Sequence, residues 1–170
     1  MARRTSLREY QIAVAERLRT VSLQAAAASK LGFMVAETRW IMNLNEVAEV
    51  LPVPRIVSIP LTKSYFLGMC NVRGNLYGVL DFAAYMDKAP VAPTVESRLL
   101  LLPSTVVQGA AVLVSRMAGL RSVESFLRLE SDPDAPAWLA GRYRDSDGQI
   151  WSELAVAGLT QHERFLNVGL

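Results

Sequence analysis

The chain has 170 residues, 51% of them hydrophobic and 20% charged, with a formal net charge of +2. That length suits one domain or two small subdomains sharing a core, and the apolar fraction excludes wholesale disorder. No run of about 18 apolar residues offers a membrane-spanning helix, and one Cys with one His excludes an internal disulfide and a Cys/His zinc site. In chain order, the spacing predicts a helix over residues 6–30. Ser6 and Glu9 have the spacing of a capping box. Leu7, Tyr10, Val14, Leu18, Val21, Ala25 and Ala28 form an apolar stripe, and Gly32 marks its exit. The basic start runs into this mixed-charge pattern instead of an apolar block, so export is not expected. Short strands follow: 33–36 and 39–44 as a hairpin, then 46–51 leading into Pro52, Pro54 and Pro60. Residues 65–70 and 76–82 are apolar and flank turn residues at Asn71–Asn75. Ala89–Thr94 holds two prolines and no periodicity and is the candidate linker. In the second half, 98–102 and 110–114 read as paired strands, and Met117–Leu129 fits either strand or helix. A loop at 131–136, a hairpin over 142–151 turning at Asp147–Gly148, and a short helix carrying Phe165 and Leu166 complete the chain. Strands of five to seven residues with frequent Gly and Pro point to small barrels or sandwiches.

The inventory of reactive groups nominates no catalyst. No phosphate-cradling GxxxxGK[ST] or GxGxxG loop is present, and His162 lacks a nucleophile at motif spacing. Asp145-Ser-Asp147-Gly148 superficially looks like a calcium loop, but Tyr143 and Leu154 fall where carboxylate ligands belong. Charge is uneven. Residues 1–20 carry five Arg against Glu9 and Glu16, whereas the rest has 13 basic and 14 acidic side chains. The body therefore lacks the positive field that non-specific nucleic-acid binding requires.

Gly68-Met-Cys-Asn71-Val-Arg73-Gly74, followed by Val79-Leu-Asp81-Phe82, resembles the signature of CheW-like domains. Val47-Ala-Glu49-Val50 and the later Pro60 are similar to that family's Val-x-Glu-Val strand and its proline. Weaker likeness extends through Val112–Met117 and Asp147-Gly148, covering most of residues 31–158. Two departures stand out. Gly78 occupies a usual Pro position, which loosens the start of that strand, and Ser115 replaces a frequent Asp. The resemblance implies a mainly β fold of two five-stranded SH3-like barrels around a shared core, spanning 31–170 behind the N-terminal helix. It implies a non-catalytic adaptor without cofactor or metal. Its partners would be the regulatory domain of a CheA-type histidine kinase and the cytoplasmic tip of a chemoreceptor. Such a protein is cytoplasmic and recruited to receptor arrays. Within the family, the N-terminal helix and the Trp151 and Phe165 endings look most like the couplers of type IV pilus systems, with a flagellar coupler as the alternative.

Val47, Glu49, Gly68, Asn71, Arg73 and Gly74 are, by that resemblance, the candidate interface. From the residues alone, Asn71 can bond its own turn, Gly68 and Gly74 permit a tight path, and Arg73 offers five fixed donors with Glu49 as the natural partner. Read from the residues alone, Arg73 equally fits the cap of a solvated turn. Two other classes stay open: a small β-barrel binding single-stranded nucleic acid, and an enzyme with a pocket near Asp81, Glu49 or His162. The helix stripe suits either the protein's own body or a partner.

Overall fold

The computed structural model describes residues 29–130 and 132–170. The helix expected over 6–30 lies outside these residues apart from its last two, Ser29 and Lys30, which begin the first strand. Twelve strands are described: β1 (Ser29–Val35), β2 (Thr38–Asn43), β3 (Glu49–Pro52), β4 (Ile56–Val57), β5 (Phe66–Val72), β6 (Asn75–Asp81), β7 (Arg98–Leu101), β8 (Ala110–Val114), β9 (Arg116–Ser122), β10 (Phe126–Arg128), β11 (Leu139–Asp145) and β12 (Ile150–Leu154). Three short helices join them: α1 (Phe82–Tyr85), α2 (Val156–Thr160) and α3 (Glu163–Leu166). Met117–Leu129 resolves as strand, a 3₁₀ turn at Val123–Ser125, and strand again.

The strands form two six-stranded sheets. One, in the order β3-β7-β8-β6-β5-β4, is built from a continuous stretch of chain. The other, β10-β11-β12-β2-β1-β9, is split between the chain on either side of that stretch. In each, the two edge strands are consecutive in sequence and joined by three residues, which span at most about 14 Å. Each sheet must therefore curl until its edges approach, giving a small barrel with one strand more than the five expected. The two barrels share one topology up to circular permutation. In each, two hairpins meet through a parallel pair, β12 with β2 or β6 with β8, and an edge strand flanks each hairpin.

Strand alternation then sorts the side chains into three interiors. Phe33, Trp40, Met42, Phe82, Tyr85, Leu100, Val112 and Leu154 lie between the sheets and form the shared core. Trp40 meets Phe82 edge-on at 5.0 Å. The continuous barrel encloses a cluster of Cys70, Val79, Leu99, Leu101, Ala111 and Leu113. The split barrel encloses a polar network beside the buried Ile41 and Trp151. Lys30 Nζ bonds Glu153 and donates to Asn43 Oδ1 at 2.6 Å, and Tyr143 Oη donates to the second Glu153 oxygen at 2.6 Å.

The expected linker at 89–94 does not separate the barrels. It joins α1 to β7 and so stays beside the continuous sheet, while the chain changes sheets at 44–48 and at Ser115. The fully buried Asp81 holds that segment in place: its carboxylate caps α1 through Ala83 N and Ala84 N and accepts from Val91 N at 2.8 Å. The absence of periodicity at 89–94 marks an anchored strap. Gly78 also differs from expectation. It sits within β6 and its N–H donates to Gly109 O at 2.8 Å, a bond that proline could not make, so this end of the strand is tied and not loosened. Ser115 Oγ accepts from Ala36 N at 2.9 Å and fastens the β8–β9 junction to the β1–β2 turn.

Candidate protein-docking site

The β5–β6 hairpin turns on two residues, Arg73 and Gly74, with φ of 51° and 88°. Positive φ at both positions matches the right-handed twist of the strands it joins. Asn71 Oδ1 accepts from Gly74 N at 2.9 Å and closes the turn. An added Cβ at Gly74 would meet nothing within 4 Å, so glycine is needed there for conformation and not for space. Arg73 pays a backbone cost that Gly74 does not, and its side chain is held by two hydrogen bonds.

Those bonds run to Glu49 on β3. Arg73 Nη1 donates to Oε2 at 2.7 Å and Nη2 to Oε1 at 2.6 Å, a bidentate fork. Since β3 and the β5–β6 hairpin lie on opposite sides of the strand order, the pair spans the mouth of the continuous barrel. The hydrogen bonds from Arg73 hold the Glu49 carboxyl below the usual carboxylate range, and Glu49 in turn raises the guanidinium. The Arg73 side chain remains 75% exposed. Water screens such a pair, so its worth to folding is small. What the fork does is fix the direction of a planar cation at the surface. Exposed Val50 on β3 and Leu76 on β6 extend the same elements.

Of the six residues expected at an interface, the structure brings Glu49, Asn71, Arg73 and Gly74 together at this exposed rim. Gly68 and Val47 stand apart. Gly68 is buried, and a Cβ there would lie 2.0 Å from Val57 O, so it permits the close packing of β5 on β4. Val47 is half-buried against the shared core. Leu76 escaped sequence reasoning because every second residue from Leu76 to Leu80 is apolar or glycine on both faces, leaving no alternation to read.

The groups weighed for an enzyme have structural partners. Asp81 caps α1, and the half-buried His162 places Nδ1 2.8 Å from Tyr85 Oη. Cys70 is buried and its thiol is pushed up by that burial. Asp145 accepts from Asp147 N, Gln149 N and Trp151 Nε1, organising the β11–β12 turn. Among the described residues no three His, Cys, Asp or Glu side chains are grouped to hold a metal ion, and no helix is long and apolar enough to cross a membrane.

Two permuted barrels with an Asn-x-Arg-Gly hairpin forked onto a Val-x-Glu-Val strand define a class, and the CheW-like domain family matches residues 30–164. The chain belongs to that family. It is similar to Protein PilI of Pseudomonas aeruginosa, with 25% identity over 146 residues that cover 84% of this chain and 80% of the relative. Among solved structures it is similar to the scaffolding protein TtCheW of Thermoanaerobacter tengcongensis, with a TM-score of 0.68 and 19% identity over 81% of this chain and 94% of the other. That second likeness concerns the fold.

Proposed function

We propose that the protein is a non-catalytic coupling protein linking a chemoreceptor to a CheA-type histidine kinase, and that its output controls type IV pilus twitching motility. Family membership and the similarity to PilI support this reading. The single observation that carries it to particular residues is the Arg73–Glu49 fork, which directs an exposed cation outward while contributing little to folding. The surface of Glu49, Asn71, Arg73 and Gly74 is then one docking site, with Val47 and Gly68 serving the packing of the fold instead. The protein works in the cytoplasm, is recruited to receptor arrays by its partners, and needs no cofactor. Residues 1–30, with their apolar stripe and the surplus of three positive charges over residues 1–20, supply a further contact.

The test is a titration against the regulatory domain of the host's CheA-type kinase, with wild type, Arg73→Glu, and the exchanged pair Glu49→Arg with Arg73→Glu. Wild-type binding that both variants lose, with their melting temperatures intact, places the kinase site here. Loss in Arg73→Glu with recovery in the exchanged pair reduces the fork to a structural brace. Absence of binding to every such kinase of the host overturns the coupling function.

A further inference from the structure

The split barrel turns its charges in opposite directions. On β11, Gly141, Tyr143 and Asp145 face inward, whereas Ala140, Arg142 and Arg144 face out and are exposed. The acidic residues that these strands own are on the inner side and already engaged. Glu153 holds Lys30 and Tyr143, and Asp145 holds Trp151 and its own turn. The outer side keeps two cations without carboxylates. Neither the Arg142 nor the Arg144 guanidinium has a hydrogen-bond or ion-pair partner among the described residues. Glu124, Glu130 and Asp147, at the ends of the same strands, pair with neither.

Register places apolar groups beside these cations. Leu127 of β10 lies opposite Arg144, and Ile150 of β12 lies on its other side. Leu127 is 66% exposed. In the next row, Arg142 stands opposite Ser152. Two like charges two residues apart on one strand are separated by about 6.7 Å, the same repeat as alternate side chains of any extended chain. Both therefore repel each other mildly when free and can each take a bidentate carboxylate from one extended segment.

We infer that the outer face of β10–β11 is a second docking surface, and that its occupant is an acidic protein segment in extended conformation, with carboxylates at alternate positions over Arg142 and Arg144 and an apolar side chain over Leu127. The charge argues against residues 1–20 of this chain as the occupant, since they carry a surplus of positive charge. Aromatic stacking platforms, which single-stranded nucleic acid requires, are lacking on this face: Phe126 packs edge-on against Tyr143 and Trp151 on the inner side. The inference stands independently of the coupling function and of the Arg73 site.

The experiment is an amide and guanidinium NMR titration of the full chain with the synthetic peptide Gly-Ser-Glu-Leu-Glu-Ser-Gly, at low salt and millimolar peptide. Controls are the same peptide with both Glu replaced by Lys, and a short oligothymidylate. The expected result is shifts confined to β10, β11 and Ile150, abolished in Arg142→Gln/Arg144→Gln, reduced several-fold by raised salt, and absent with the Lys peptide. Leu127→Ser should weaken binding while leaving the charge response in place. Because all three side chains are exposed, circular dichroism should show the variants folded. No shifts, shifts that persist in the double variant, or equal shifts with the oligothymidylate each overturn the proposal.

Discussion

The two barrels have the same strand order and different fillings. The continuous barrel closes on six buried apolar residues, whereas the split barrel packs Ile41 and Trp151 beside a lysine, a glutamate, a tyrosine and an asparagine joined by hydrogen bonds. Topology therefore does not dictate what fills an SH3-like barrel. An apolar filling tolerates many similar shapes, because its attraction has no direction. A polar filling admits only arrangements in which each group finds its partner, and it penalises the loss of one member more than the loss of all.

The comparison breaks hardest at Glu153. Its truncation to Ala strands the Lys30 ammonium, whose side chain is only 12% exposed, and should cost about 3–5 kcal/mol in chemical denaturation. Replacing the set together, with Lys30→Met, Glu153→Leu and Tyr143→Phe, should leave stability near or above that of wild type; a triple variant as unstable as Glu153→Ala would show that the network does more than satisfy itself. In the continuous barrel, Leu99→Ala removes a fully buried side chain and should cost about 2–5 kcal/mol. There, no compensating partner change should restore what is lost.

An alkaline titration sharpens the contrast at smaller scale. Burial, aided by Glu153, pushes the Tyr143 phenol up to about 12, and burial alone dominates the rise of Tyr85 to about 12. Between about pH 10 and 12 the folded phenols keep protons that the unfolded ones lose, so the stability they contribute is intact below about pH 10 and lost as the pH climbs toward 12. Tyrosinate absorbance should register two late ionisations, and Tyr143→Phe should remove one of them. The smallest effect belongs to the Arg73–Glu49 fork. With the Glu49 carboxyl held low, its contribution is present above the ordinary carboxylate range and fades as the pH falls through the lowered value. Melting temperature should move little in Arg73→Ala at any pH, whereas binding should change strongly.

Much of the candidate site was legible. Glu49 and Arg73 could be paired before the structure because the family pattern brought their segments together, and the Asn71 turn bond follows from what an Asn side chain can reach. The β1–β2 and β5–β6 hairpins were equally readable, since their signals lie within a few residues. The polar filling was not. Lys30 sits at the end of an apolar stripe that predicts helix, and Glu153 in Trp-Ser-Glu-Leu reads as an ordinary surface charge. Only the pairing of β1, β2, β11 and β12 brings them together, and those partners lie more than a hundred residues apart in the chain. The division into barrels was misread for the same reason: composition marked 89–94 as a break, whereas the sheets are divided by long-range pairing at 44–48 and 115.

The split sheet also carries a kinetic consequence. Its parallel pair joins Arg39 of β2 to Trp151 of β12, so forming it means closing a loop that contains the whole continuous barrel. An unfolded loop of that length carries a large closure entropy, which a folded one of fixed, short end-to-end distance greatly reduces. The continuous barrel, rich in local hairpins, is thus the clamp that brings the two halves of its neighbour together. Lesions such as Leu99→Ala should slow folding, and lesions of the polar network should chiefly hasten unfolding.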